Sequence, residues 1–123
     1  MTWEYVKDKV LVFGEDDYVF ADIFIAIIQE FDKVEDKETA KLYTHIMLEE
    51  LLAEKLVTAY LVDSKELVEY DCDSAEKIKS FIKVIDNEWE HIKYTLPQPN
   101  QLFWITTTEK GLEYIKKNDS KGW

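Results

Sequence analysis

From Ile78 to Ile92 an apolar side chain falls at every third or fourth position: Ile78, Phe81, Ile82, Ile85, Trp89 and Ile92. That is the period of one face of an α-helix, so this stretch is committed to a helix lying on a core. Asp73-Ser74-Ala75-Glu76, just before it, reads as an acidic variant of a capping box. The same period recurs in Phe20, Ile23, Phe24, Ile27, Ile28 and Phe31, which predicts an earlier helix over 18–31. Glu15-Asp16-Asp17 would supply carboxylates at its start, where they cap the chain or face the positive end of the dipole. Leu42, Tyr43, Ile46, Met47, Leu48, Leu51, Leu52 and Leu56 cover a wide arc over 38–56. That breadth fits a central helix, or two helices broken near Thr44. A last helix is expected over 109–117, capped by Thr107 or Thr108.

Between the helices the pattern changes. Residues 57–62 and 67–70 are β-branched and apolar around Asp63-Ser64-Lys65, which predicts a hairpin. Residues 94–96 and 102–105 flank Pro97-Gln98-Pro99-Asn100, which predicts a second one. A short strand at 10–13, ended by Gly14, completes the expectation. The fold class is α+β, with about four helices and two short β-hairpins. At 123 residues the whole chain, 1–123, is expected to form a single domain. Four Trp, seven Tyr and six Phe suffice for a core. The single cysteine, Cys72, excludes an internal disulfide. No apolar run is long enough to span a membrane. Met1-Thr2-Trp3-Glu4 lacks the basic-then-apolar pattern of a secretion signal, so a cytoplasmic location is expected.

Charge limits the partner. The chain has 26 acidic residues against 15 basic ones, a formal net charge of −11, and every basic residue is lysine. A nucleic-acid grip needs a positive face, for which arginine is the preferred fork. Such a surface repels phosphate and attracts a basic protein.

Two segments resemble winged-helix proteins of the MarR and PadR type. Residues 48–57, Leu48-Glu49-Glu50-Leu51-Leu52-Ala53-Glu54-Lys55-Leu56-Val57, look like a recognition helix entering the first wing strand. Residues 103–115, with Thr107-Thr108-Glu109-Lys110-Gly111 at their centre, resemble the strand that returns from the wing into a helix. The resemblance implies a winged-helix-like topology and a dimeric DNA-binding regulator, with Lys37 and Lys41, or Lys93 beside the Pro97–Pro99 loop, as its phosphate contacts. About forty residues separate the segments, roughly twice what a simple wing needs, and the candidate recognition helix carries Glu49, Glu50 and Glu54.

The acidic residues gather in clusters. Glu66, Glu69, Asp71, Asp73 and Glu76 surround Tyr70, a mixture that suits a contact surface with an aromatic anchor. Asp86, Glu88 and Glu90 form a second cluster around Trp89; Asp32, Glu35, Asp36 and Glu38 form a third. Most could equally be solvated loops and helix ends. Glu88 and His91 stand at the Glu-x-x-His spacing of di-iron helices, without the further ligands such a site uses. His45 and Glu49 stand i, i+4 and could hold zinc only with help from elsewhere. Cys72, flanked by Asp71 and Asp73, should be a poor nucleophile. No phosphate loop or nucleophile motif occurs. The expectation is a non-enzymatic, cofactor-free protein that binds a basic protein. Its most concrete form is an immunity or antitoxin-type inhibitor of a toxin such as a nuclease. A winged-helix regulator and a phage-encoded nucleic-acid mimic that blocks a defence nuclease are the alternatives. The oligomeric state is left open.

Overall fold

The computed structural model describes residues 3–31, 36–63, 66–98 and 101–119. The fold is α+β. In chain order its elements are α1 (Trp3–Asp16), β1 (Val19–Phe20), α2 (Ala21–Phe31), α3 (Lys37–Ala53), β2 (Val57–Asp63), β3 (Glu66–Tyr70), α4 (Ala75–His91), β4 (Phe103–Thr107) and α5 (Glu109–Asp119). The strands form one antiparallel sheet in the order β1-β4-β2-β3.

Five helices replace the expected four because residues 10–13 are helical. Val6, Lys7, Val10, Leu11 and Gly14 are all buried on one side of α1. Gly14 does not end a strand. It lies inside the helix, where an added Cβ would sit 2.6 Å from Thr107 Oγ1. That hydroxyl in turn donates to Leu11 O at 2.7 Å. Glu15-Asp16-Asp17 therefore fall at the C-terminal end of α1, the negative end of its dipole, and do not start a helix.

α3 begins one residue earlier than expected, because Asp36 accepts from Thr39 N at 3.0 Å and caps it. It also ends earlier. Lys55 takes a left-handed conformation (φ 60), Leu56 N bonds back to Leu51 O at 2.9 Å, and Lys55 N bonds to Leu52 O at 3.1 Å. This is a Schellman termination with lysine in the place usually taken by glycine. α4 is capped by Ser74, whose hydroxyl accepts from Lys77 N at 3.2 Å, and not by the Asp73–Glu76 box.

The hairpin β2–β3 forms as expected. The second hairpin does not. Lys93 and Tyr94 are both left-handed (φ 57 and 56). Tyr94 N donates to Trp89 O at 2.9 Å, and the Trp89 indole donates to Thr95 O at 2.8 Å. The chain thus folds back on the end of α4, and β4 pairs with β1 and β2 instead.

One face of the sheet carries Val19, Val57, Ala59, Phe103 and Ile105, all buried and joined to residues of every helix in the core cluster. Phe103 packs edge-on to Phe24 of α2 and Phe81 of α4, with centroids 5.5 and 6.5 Å away. The opposite face is unusual. Outward positions of an antiparallel sheet are ordinarily polar. Here the pairing aligns Phe20, Trp104, Tyr60 and Glu69 in one row across all four strands. None of the three aromatics belongs to the core cluster or packs on it.

Candidate protein-binding surfaces

The segment from β3 to the start of α4 brings most of the first acidic cluster together. Glu66 and Glu69 are exposed on β3, an edge strand, and Glu76 is exposed in the first turn of α4. Asp71 and Asp73 are already engaged. Lys77 Nζ lies 2.8 Å from Asp71 Oδ2 and 2.9 Å from Asp73 Oδ1. The hydrogen bond from Lys77 holds the Asp71 carboxyl below its usual range, and its hydrogen bonds to both carboxylates raise the lysine. Tyr70 is half-buried with its ring 5.1 Å from Phe81. It faces the core side of the sheet, so it braces β3 against α4.

The second cluster is split by the helix. Glu88 and Glu90 are exposed. Asp86 is half-buried against α3, its Oδ1 3.6 Å from His45 Nε2. Tyr94 OH donates to Asp86 Oδ2 at 3.4 Å, and Lys41 Nζ stands 4.6 Å over the Tyr94 ring. Burial pulls the His45 pKa down, with Lys41 adding to the effect and Asp86 opposing it. In the third cluster Asp36 caps α3 and Glu38 is exposed; Asp32 and Glu35 lie outside the described residues. Among the described residues no three His, Cys, Asp or Glu side chains gather as a metal site. No described helix is long and apolar enough to cross a membrane.

Sequence reasoning did not single out the outer face of α3. Ala40, Thr44, Met47, Leu48, Leu51 and Leu52 turn inward. The exposed residues after the first turn are Leu42, Ile46, Glu49 and Ala53, at i, i+4, i+7 and i+11. Leu42 is 54% exposed and Ile46 44%. Glu38 stands one turn before Leu42 on the same side. The face therefore has an apolar centre between two carboxylates. Of the three lysines considered for phosphate contact, Lys37 and Lys93 are exposed and Lys41 is held over Tyr94. The signal for the stripe was present in the sequence, but its apolar residues read as core.

Where α3 ends, a cleft of about 260 Å³ opens between it and the start of α4. Leu52, Ala53 and Ile78 contribute its apolar wall, and Glu49, Lys55 and Asp73 its charged groups. Cys72 also lines it; burial, then Asp71 and Asp73, push the thiol up to about 11. It is predominantly a protonated thiol at neutral pH.

No protein family matches this chain, and no curated protein or solved structure is significantly similar to it.

Proposed function

We propose that this chain is an acidic, non-enzymatic protein-binding domain that docks a basic partner, in the manner of an immunity or antitoxin-type inhibitor. The observation that carries the reading is the outer face of α3, where Leu42 and Ile46 stand exposed between Glu38 and Glu49. An apolar centre supplies contact area, and carboxylates around it supply steering and selectivity. Glu66, Glu69 and Glu76 extend the negative field toward β3 and α4. An enzyme built to hold phosphates, such as a nuclease, presents the complementary positive surface. A carboxylate-rich domain can occlude it by competing with nucleic acid. A phage-encoded nucleic-acid mimic would use the same physics.

The topology reading is that of a winged helix whose wing has been lengthened. What supports it is the neighbourhood of the two resembling segments. α3 runs into β2, and β4 returns beside β2 before entering α5. Thr108 N donates to Leu56 O at 3.0 Å, and Thr108 Oγ1 donates to Lys55 O at 2.7 Å. In this reading β3 and α4 are the extra residues between the segments. The same topology favours the rival function, a DNA-binding regulator. Against that rival, Glu and apolar groups occupy the helix face that would have to approach phosphates.

Two measurements test the proposal. In the first, the protein is titrated with duplex DNA of mixed sequence at low salt. In the second, it captures proteins from its native host, alongside a Leu42→Asp/Ile46→Asp variant. The proposal expects no duplex complex, and a basic protein held by the wild type, released by salt and lost with the variant. Duplex binding by the wild type would instead establish the regulator. Equal capture by the variant would remove the α3 face.

A further inference from the structure

The outward face of the sheet carries a continuous row of aromatic side chains. Phe20, Trp104 and Tyr60 occupy neighbouring strands in register, and Tyr18 packs over the row. Ring centroids are 4.3 Å apart for Phe20–Trp104, 5.1 Å for Tyr18–Trp104 and 5.4 Å for Tyr18–Tyr60. All four are half-buried, so each keeps part of its ring surface toward solvent while leaning on its neighbours. A continuous apolar strip on the side away from the core is characteristic of a contact surface.

Charge identifies the occupant. Glu69 continues the row at the β3 edge, and it is the one charged residue among the outward strand positions described. The strip is thus closed by a carboxylate at its β3 edge. Three inter-strand spacings make it about 14 Å wide, the reach of roughly four residues of extended chain. Aromatic faces attract cations, most strongly over tryptophan. A phosphate backbone crossing the same strip would meet Glu69.

We infer that this face binds an extended peptide segment bearing lysine or arginine, whose cationic groups stack on Trp104 and Tyr60 and end against Glu69. This site is separate from the α3 face and does not depend on it.

The test uses the full chain and three probes at near-physiological salt: a hexa-arginine peptide, a hexa-lysine peptide and deca-thymidylate. Binding is read by calorimetry, and the fold of each variant by circular dichroism. The wild type should bind both peptides. Trp104→Leu and Tyr60→Leu should each weaken them about tenfold, Glu69→Gln by a smaller factor, and Leu42→Asp/Ile46→Asp not at all. Because Trp104 and Tyr60 lie outside the core, the variants should keep their helical signal. Unchanged peptide binding in folded Trp104→Leu and Tyr60→Leu would overturn the site, since attraction would then be diffuse charge. Tighter binding of deca-thymidylate than of the peptides would also overturn it, the strip then being a stacking platform for single strands. Loss of peptide binding in the α3 variant alone would count against this site while leaving the α3 reading intact.

Discussion

Gly111 of α5 lies against the carbonyl of Leu56: a Cβ built on the glycine would fall 2.4 Å from Leu56 O and 2.6 Å from Thr107 Cγ2. The neighbouring oxygen is backbone, already accepting from Thr108 N, so it cannot swing away. Gly111→Ala should therefore destabilise the protein by about 1–3 kcal/mol, the range for overpacking at a tight contact. A lower urea midpoint with an unchanged slope would show it.

Lys55 makes the converse case. It holds a left-handed backbone at the end of α3 with a side chain that disfavours it. Replacing it by glycine removes a penalty of about 1 kcal/mol. Lys55→Gly should raise the urea midpoint, provided the Schellman bonds to Leu51 and Leu52 survive. A lower midpoint would show that the lysine side chain in the cleft matters more than its backbone.

Lys7 ties α1 to α3 and α5. Its side chain is 4% exposed, with Nζ 2.7 Å from Glu54 Oε2 and 3.3 Å from Glu50 Oε2, and 4.9 Å from the centre of the Tyr114 ring. Burial pulls its pKa down, but the Glu54 hydrogen bond and the Glu50 charge outweigh burial and leave it raised. Glu54 is partly exposed and would recover water if the lysine were lost, whereas Glu50 Oε2 is buried and would be left without its cation. Lys7→Ala should thus cost about 1–2 kcal/mol, mostly in lost packing of the stem. Lys7→Met, which keeps the stem, should cost less in the same urea titration.

His45 sets a pH dependence. Its folded pKa lies below the unfolded value, so the unfolded chain binds more protons in the window between the two. Stability should be present in full above about pH 6.5 and fall as pH drops through that value toward the folded pKa. Thermal unfolding from pH 7.5 to 5.5 should show a declining midpoint that flattens in His45→Gln. An equal slope in that variant would place the effect elsewhere.

Glu69→Lys separates binding from stability. Glu69 is exposed, whereas Asp71 and Asp73 are tied to Lys77 at the start of α4. Reversing Glu69 should slow association with a basic partner and flatten its salt dependence while leaving the melting temperature within experimental scatter. Asp71→Lys or Asp73→Lys should lower the melting temperature as well, because each would repel Lys77.

Helix α4 was legible because its apolar stripe is a local signal, although its cap falls on Ser74 and not on the expected Asp73. The β2–β3 hairpin was legible for a similar reason. The end of α3 was not, since nothing in the chain before Lys55 marks a stop, and the carbonyls of the left-handed Lys55 and of Leu56 are held by Thr108, more than fifty residues away. α1 was misread because Gly14 looks like punctuation, whereas its purpose is to admit Thr107. The acidic clusters could be seen, but not that Lys77 engages Asp71 and Asp73 or that Tyr70 faces Phe81. The row Phe20–Trp104–Tyr60–Glu69 exists only through strand register, which joins residues from three separate parts of the chain.

The placement of β4 also governs assembly. It is the next-to-last element of the chain, yet it sits between β1 and β2 and supplies partners to both. While the polypeptide is still being synthesised, β1 has nothing to bond with and the β2–β3 ribbon has one open side. Closure must await residues 103–107, a pairing across more than eighty residues from β1 that slows folding.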